Sequence, residues 1–536
     1  MKPLIVDALA SGRGRRLVTL DVIGVGPRAI AGVLETRGLE PTLARAYEVL
    51  GGKVDLAKYD MLFVSGMTMD LRAISRVASL WGSESGGPVL VGGPVASEPD
   101  RVFSKAKADI AVTGEGEKTL KELVDLGLNK NGIPSINDLR KVRGISYIDD
   151  GAIRVNSLRP ALKREEYDRF SPSTRVIEDY PLYRSARVYV EVLRGCSNYH
   201  RATIGSLGEA CVDCDRCHRA DLEERYDCPV GIPPGCGYCS VPSLYGPPRS
   251  RSVDMVVEEV RWLLKRGVRR IVLSAPGFLD YGRDLLVQPL PLTDPRNPEP
   301  NYSAIEELLS GLKELEGFAS GKASLITENV KGCLVTEEAA RILGRYLGGT
   351  SVNIGFETGS EEHSRQLGRP SIPKENLLAV RRLKKEGLKP YAYYIHGLPG
   401  QTPATVKETL RNIDMNVHAG VSRIILYRFY PLPMSAFQYE PTAPPAMKDE
   451  LSRRIYEKVK IANGLLKEKL VGTRMWVVVA EPYRRDRRLH VAYPMLHGPV
   501  VLVEGAEGFA GEVVLIQITR IISDRMVRGV VLDGMF

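Results

Sequence analysis

The chain has 536 residues, 43% of them hydrophobic and 26% charged, with a net charge of +9. At roughly 100–200 residues per domain, about two to four domains are expected, and the apolar fraction excludes a disordered chain. No run of about 18 uncharged apolar residues occurs, and the start, MKPLIVDALASGRGRR, has too short an apolar run for a signal peptide; no membrane association and a cytoplasmic location are expected. The positive charge fits either an acidic partner such as nucleic acid or a basic-biased thermophile proteome.

Residues 1–130 read as alternating strands and helices: LIVDAL (4–9), a helix over 24–38, YDMLFVSG (59–66), PVLVGGP (88–94), then strand, glycine turn and helix over 109–124. That alternation predicts a Rossmann-like parallel sheet with helices on both faces. Ligands of such sheets lie beyond the carboxyl ends of the strands. The turns there are Ser65-Gly66, Gly92-Gly93 and Gly114-Glu115-Gly116. Residues 131–185 read as a connecting segment punctuated by prolines, with a hairpin at 142–156 turning on Asp150-Gly151. Alternation resumes over 186–433, with six strand candidates at 186–194, 269–274, 322–328, 350–357, 389–397 and 422–429. Six such units predict a partial (β/α)6 barrel. A Pro/Ala-rich linker and a long amphipathic helix fill 434–469. Short strands from 470 to 536 predict a small antiparallel β-barrel. The fold class is α/β overall.

Seven of the eight cysteines lie between 196 and 239. Such crowding in one stretch of a large chain points to metal or iron–sulfur ligation rather than to a disulfide framework. VYVEVLRGC ends a strand candidate in Cys196, and PPGCGYCSVP places Cys236 and Cys239 in C-x-x-C spacing. Three thiolates can hold three irons of a [4Fe–4S] cluster and leave the fourth open to a small chelating substrate. Cys228 is the rival of Cys196 for the first position. An insertion over 197–235 carries Cys211, Cys214, Cys217 and Cys228, a set that fits a closed zinc site or a second cluster. His200 and His218 read as surface histidines, and Cys333 as structural.

The middle of the chain resembles the radical S-adenosylmethionine (radical SAM) superfamily. Arg194-Gly195-Cys196 and the Cys236/Cys239 pair match its cluster motif, although 39 residues separate Cys196 from Cys236 where the family usually has three. SAPGFLDYG (274–282), GFETGSEEHSRQLGRP (355–370) and YYIHGLPGQT (393–402) follow in the family's order. The resemblance implies that Ser274, Ala275, Pro276, Glu357, Gly397, Leu398, Pro399 and Gly400 help bind SAM. It also implies reductive SAM cleavage, fed by an external electron donor, to a 5′-deoxyadenosyl radical.

The N-terminal turns resemble those of the cobalamin-binding domains found ahead of such barrels, which implies a cobalamin site at Ser65, Gly66, Gly92, Gly93, Gly114 and Gly116. Residues 1–199 contain no histidine, so a histidine-ligated cobalamin is excluded there. A cobalamin site without that ligand and a structural remnant remain the two readings. Residues 470–532 resemble a TRAM domain, the small RNA-binding barrel of the methylthiotransferases that act on tRNA. On that resemblance Arg484, Arg485, Arg487 and Arg488 neutralise phosphates, rather than simply solvating a hairpin tip. Tyr483 is a candidate base-stacking residue. Those relatives carry three further cysteines in the N-terminal domain, and here none precedes Cys196. The expected function is therefore RNA modification, of tRNA or rRNA, by methylation or by methylthiolation. A radical SAM enzyme acting on a small molecule or lipid is the alternative.

Overall fold

The computed structural model describes all residues except 13, 15–20, 212, 213, 219, 220, 524 and 536, and only the backbone of 533–535. Two compact units divide the chain: Met1–Val190 with Asp254–Gly267, and Glu191–Val253 with Val268–Phe536.

In the first unit the strands are β1 (Pro3–Asp7), β2 (Val22–Ile23), β3 (Thr42–Arg45), β4 (Met61–Ser65), β5 (Val89–Gly92), β6 (Ile110–Val112), β7 (Ile145–Asp149), β8 (Ala152–Val155) and β9 (Arg187–Glu191). Seven form one sheet in the order β3-β1-β4-β5-β6-β7-β8. β1 and β3 to β6 run parallel, while β7 and β8 add an antiparallel edge. Helices cover the sheet, so strands such as MLFVS read as unbroken apolar runs. The hairpin expected in the connecting segment extends this sheet instead, because β7 supplies the pairing that β6 lacks on its far side. Its turn is made by Asp150 at φ +50° and Gly151 at φ +76°. No sequence pattern announces β2. It is two residues long and exists only as a partner of β9.

The second unit contains β10 (Leu193–Arg194), β11 (Arg249–Ser250), β12 (Arg270–Ser274), β13 (Ser324–Thr327), β14 (Asn329–Val330), β15 (Ser351–Glu357), β16 (Lys389–His396) and β17 (Arg423–Arg428). β12 pairs in parallel with β13, and β14 to β17 form a parallel four-stranded sheet. Helices 302–313, 337–347, 373–385 and 403–419 alternate with these strands, as the partial barrel requires. Each begins where its sequence supplies a start signal: Asn301, Thr336 and Thr402 accept from backbone N–H groups of the first turn, and Pro373 and Pro403 occupy initial positions.

The last strands are β18 (Arg474–Pro482), β19 (Leu489–Pro494), β20 (Val500–Glu504), β21 (Val513–Ile521) and β22 (Met526–Met535). They close into a barrel in the order β18-β19-β20-β22-β21 around Val477, Val479, Val501, Val503, Val514 and Ile516. Closure leaves no open edge. Among the described residues no helix is long and apolar enough to cross a membrane.

Candidate active site

Cys196 follows β10 after Gly195, which sits at φ +89°. A side chain there would bring its Cβ within 2.2 Å of the Pro247 carbonyl oxygen, so the R-G-C turn needs glycine on both steric and conformational grounds. The loop is pinned where Cys196 N–H donates to Gly246 O at 3.1 Å. Cys236 and Cys239 share a tight turn, with Cys239 N–H donating to Cys236 O at 2.8 Å. Gly237 within it donates to Leu367 O and accepts from Phe437 N–H, and the Phe437 ring fills the space a side chain at 237 would take. Phe437 lies in the segment expected to be a mere linker.

The structure brings Cys196, Cys236 and Cys239 together despite the long insertion. Burial raises the Cys196 thiol, opposed by Lys331, and pushes Cys239 up to about 12, with Cys236 and Cys196 adding to the shift. Cys228 instead joins the insertion's cysteines. Burial raises the Cys211 thiol, and Cys217, Cys228 and Cys214 raise it further, so all four lie within electrostatic reach. Arg201 organises the base of this insertion. It donates to the carbonyls of Tyr199, Arg225, Tyr226 and Ile232 and to Cys217 Sγ at 3.4 Å. His200 is not a surface histidine: it is part-buried, its ring 4.7 Å from that of His218, and burial lowers its pKa to about 4. Among the described residues no three His, Cys, Asp or Glu side chains converge on a single ion position. Cys333 Sγ lies against Pro295 O.

Two polar residues tie the three-cysteine site together: Asn198, which no motif announced, and Arg369, which lies within the 355–370 motif although the resemblance assigns it no role. Asn198 donates its side-chain amide to Cys236 Sγ at 3.3 Å and to Gly368 O at 2.9 Å, and its backbone N–H to Cys196 Sγ at 3.4 Å. Arg369 reaches Cys236 Sγ at 3.5 Å, the Tyr238 hydroxyl at 2.7 Å, Gly355 O and the Glu357 carboxylate at 3.4 Å. Soft thiol donors, burial and N–H groups aimed at sulfur fit an iron–sulfur cluster.

Glu357 ends β15 at φ +64°, beside a register irregularity between Gly355 and Glu357. Such a bulge re-aims a side chain, and strained backbone of this kind collects at functional sites. Burial raises the Glu357 pKa, and Arg369 opposes the rise. Thr358 follows, and its hydroxyl meets His363 Nδ1 at 3.2 Å. His363 Nε2 lies 2.8 Å from Pro399 O, which joins this segment to the turn Gly397-Leu398-Pro399-Gly400. Burial lowers the His363 pKa, so the ring is neutral, with Nε2 donating to Pro399 and Nδ1 accepting from Thr358. Glu357, Thr358, His363, Leu398 and Gln401 line one small cleft. Ser274 ends β12 and bonds Glu328 at 2.7 Å; Ala275 is buried and Pro276 is exposed. Strand alternation puts Tyr393, Ile425 and Tyr427 on the face opposite Tyr394, which bonds Asn412 and Asn416 of helix 403–419. The Tyr393 and Tyr427 rings stack at 5.6 Å, and Tyr427 is half exposed.

In the first unit, Ser65, Gly66, Gly92, Gly93, Gly114 and Gly116 lie at or just beyond the carboxyl ends of β4, β5 and β6. Gly93 has φ +83°, and a Cβ there would sit 2.7 Å from Gly66 O. Gly66 would itself crowd Ile74, Ala8 and Asp70. These two glycines let adjacent turns touch. A Cβ on Gly92 would meet nothing within 4 Å, so the end of β5 is open to a flat ligand. Asp70 holds the loop after β1 by accepting from Ala10, Gly12 and Met67 N–H groups. The four arginines predicted to bind RNA are all exposed in the β18–β19 turn, and Arg488 is folded back onto Asp486.

Comparison with known proteins gives these arrangements a setting. Residues 228–413 match the Radical SAM superfamily. An uncharacterised protein of Methanopyrus kandleri is 41% identical, covering 98% of this chain and 95% of its own length. A putative methylthiotransferase of Methanocaldococcus jannaschii is 24% identical over 317 residues, 59% of this chain and 54% of that one. The structure of the radical SAM methyltransferase TsrM of Kitasatospora setae, with tryptophan and a SAM analogue bound, shares the fold. It superposes with a TM-score of 0.58 at 14% identity, covering 82% of this chain and 75% of that one.

Proposed function

Because the chain belongs to the radical SAM superfamily, we propose that it modifies RNA, either tRNA or rRNA, by methylation or methylthiolation. The observation that carries this reading is the pairing, in one unit, of the three-cysteine site with a closed five-stranded barrel bearing an exposed arginine turn. Relatives named as methylthiotransferases support the reaction class, among them a tRNA-2-methylthio-N(6)-dimethylallyladenosine synthase of Aquifex aeolicus.

On this reading Cys196, Cys236 and Cys239 hold a [4Fe–4S] cluster. Bound there and reduced by an external donor, such a cluster would supply one electron to the SAM sulfonium, breaking its C5′–S bond to give methionine and a 5′-deoxyadenosyl radical. The chain's own residues do the rest. Asn198 and Arg369 orient the thiolates and disperse their charge through N–H···S contacts. Glu357, held by Arg369, and the 397–400 turn, held by neutral His363, are the SAM-binding elements on this reading. Tyr427 offers its ring to a planar substrate on the face it shares with Tyr393. Cys211, Cys214, Cys217 and Cys228 hold a second metal, either zinc or an iron–sulfur cluster. The open end of β5 at Gly92 can face a cobalamin, and no histidine of residues 1–199 could ligate it.

The test is the product. RNA incubated with the reconstituted, reduced chain and SAM is digested, and its nucleosides are weighed. A nucleoside gaining a methyl or a methylthio group is expected. Unchanged nucleosides, with SAM consumed on a small molecule or lipid, would overturn the RNA assignment.

A further inference from the structure

A buried charged group lies behind the Cys196 loop, and none of the roles above uses it. Asp280, in the turn after β12, accepts from both Arg283 and Lys331. Lys331, directly after β14, also donates to Ser197 Oγ, next in sequence to Cys196. Ser197 Oγ in turn lies 3.0 and 3.1 Å from the two Asp280 oxygens. Arg283 also reaches Ser197 Oγ at 3.5 Å and the carbonyls of Pro298 (2.8 Å) and Asp294 (3.2 Å). The side chains of Asp280 and Arg283 are 0% exposed, and that of Lys331 only 8%.

The charges do not balance within the group. Two cations meet one carboxylate, leaving one positive charge out of water. An unmatched buried charge is strongly unfavourable, so an anion must face it. Asp294 is engaged by Arg225 at 2.8 Å. Besides Asp280, the group that favours the Lys331 charge is Cys196. The same pairing runs the other way, because Lys331 opposes the burial that raises the Cys196 thiol.

We propose that Lys331 is a positioning residue for the iron–sulfur cluster: its buried ammonium, fixed by Asp280 and Ser197 beside Cys196, raises the cluster's reduction potential. Reduction takes one electron from the external donor into the oxidised cluster and breaks no bond. It adds one negative charge next to a fixed positive one in a medium that screens weakly, so the reduced state gains. The inference rests on Cys196, Cys236 and Cys239 being the cluster ligands.

The test is a redox titration of the anaerobically reconstituted full chain without SAM, read by electron paramagnetic resonance. Lys331→Gln keeps hydrogen-bonding capacity toward Asp280 and Ser197 but removes the charge. Lys331→Met is the second variant, and in both Asp280 and Arg283 remain a one-to-one pair. Lys331→Arg retains the charge. The expected result is wild-type iron content with a reduced-to-oxidised ratio at least about tenfold lower in the Gln and Met chains at a given applied potential. For a one-electron couple that is a shift of about 59 mV to more negative values. Lys331→Arg restores most of it. Fully loaded Gln and Met chains that titrate with the wild type would overturn the inference, and would assign Lys331 to a ligand anion rather than to the cluster. A Cys196→Ala chain that keeps full iron and the wild-type signal would overturn the ligand reading itself, whatever Lys331 does.

Discussion

On the proposed cluster assignment, Asn198 and Arg369 fix where the thiolates point, through N–H···S contacts. Their removal has different expected consequences. Asn198→Ala removes the hydrogen bond to Cys236 Sγ and the one to Gly368 O, and a reconstituted chain should bind less iron. Glu357→Gln should leave iron unchanged and raise the apparent KM for SAM about 10–100-fold, the worth of one charge-assisted hydrogen bond. Iron per chain and SAM-cleavage kinetics separate the two, and a Glu357→Gln chain with wild-type KM would remove that residue from the SAM site. At this scale the sequence is legible only where chemistry and spacing coincide. Cysteines at C-x-x-C spacing and a glutamate inside a strand-end motif stand out. Asn198 does not, because its partner Gly368 lies 170 residues on and an asparagine carries no periodic signal. Lys331 is hidden for the same reason, 51 residues from Asp280.

Elements owe their positions to a few backbone decisions. Gly195 is one. Gly195→Ala must adopt a left-handed conformation, at about 1–2 kcal/mol, and must also push the Pro247 carbonyl away. The expected outcome is a folded chain with less than about half the wild-type iron, the loop having shifted by the ångström that ligand geometry does not tolerate. Full iron loading would show that the turn is more pliable than this. The long strands and helices of both units are readable from period and caps, and the starts of helices 337–347 and 403–419 fall at Thr336 and Thr402. The short pieces are not. β2, β10, β11 and β14 have two residues each, too few for any pattern, and exist because a partner strand passes by. The β15 irregularity that turns Glu357 is equally invisible, since it depends on β16 running alongside.

Across the second unit, the C-terminal barrel meets the parallel strands through specific side chains. His497 packs edge-on against Tyr391 of β16, with ring centroids 6.4 Å apart, and Arg269 pairs with Glu512 at 3.1 Å. Burial, with Lys389 and Lys384 adding, lowers the His497 pKa to about 4. A histidine whose folded pKa lies below its unfolded value of about 6.5 contributes stability that is full above about 6.5 and lost as pH falls toward 4. Thermal midpoints of the wild type should therefore drop more between about pH 7 and about pH 5 than those of His497→Asn. Parallel pH profiles would contradict this role. The arginine turn is tested by salt. Replacing Arg484, Arg485 and Arg487 with glutamine should flatten the slope of log affinity for RNA against log salt by about 0.7–0.9 for each phosphate no longer neutralised. Arg488, already paired with Asp486, should change it less.

On the proposed function this chain cleaves SAM for the sake of an RNA. The most direct measurement of this is 5′-deoxyadenosine formation by the anaerobically reconstituted, reduced chain, with and without total RNA from its own source. Formation that depends on Cys196, Cys236 and Cys239 and rises when RNA is added is expected. Robust formation indifferent to RNA would contradict the substrate, and none under either condition, with the cluster loaded and reduced, would contradict the chemistry.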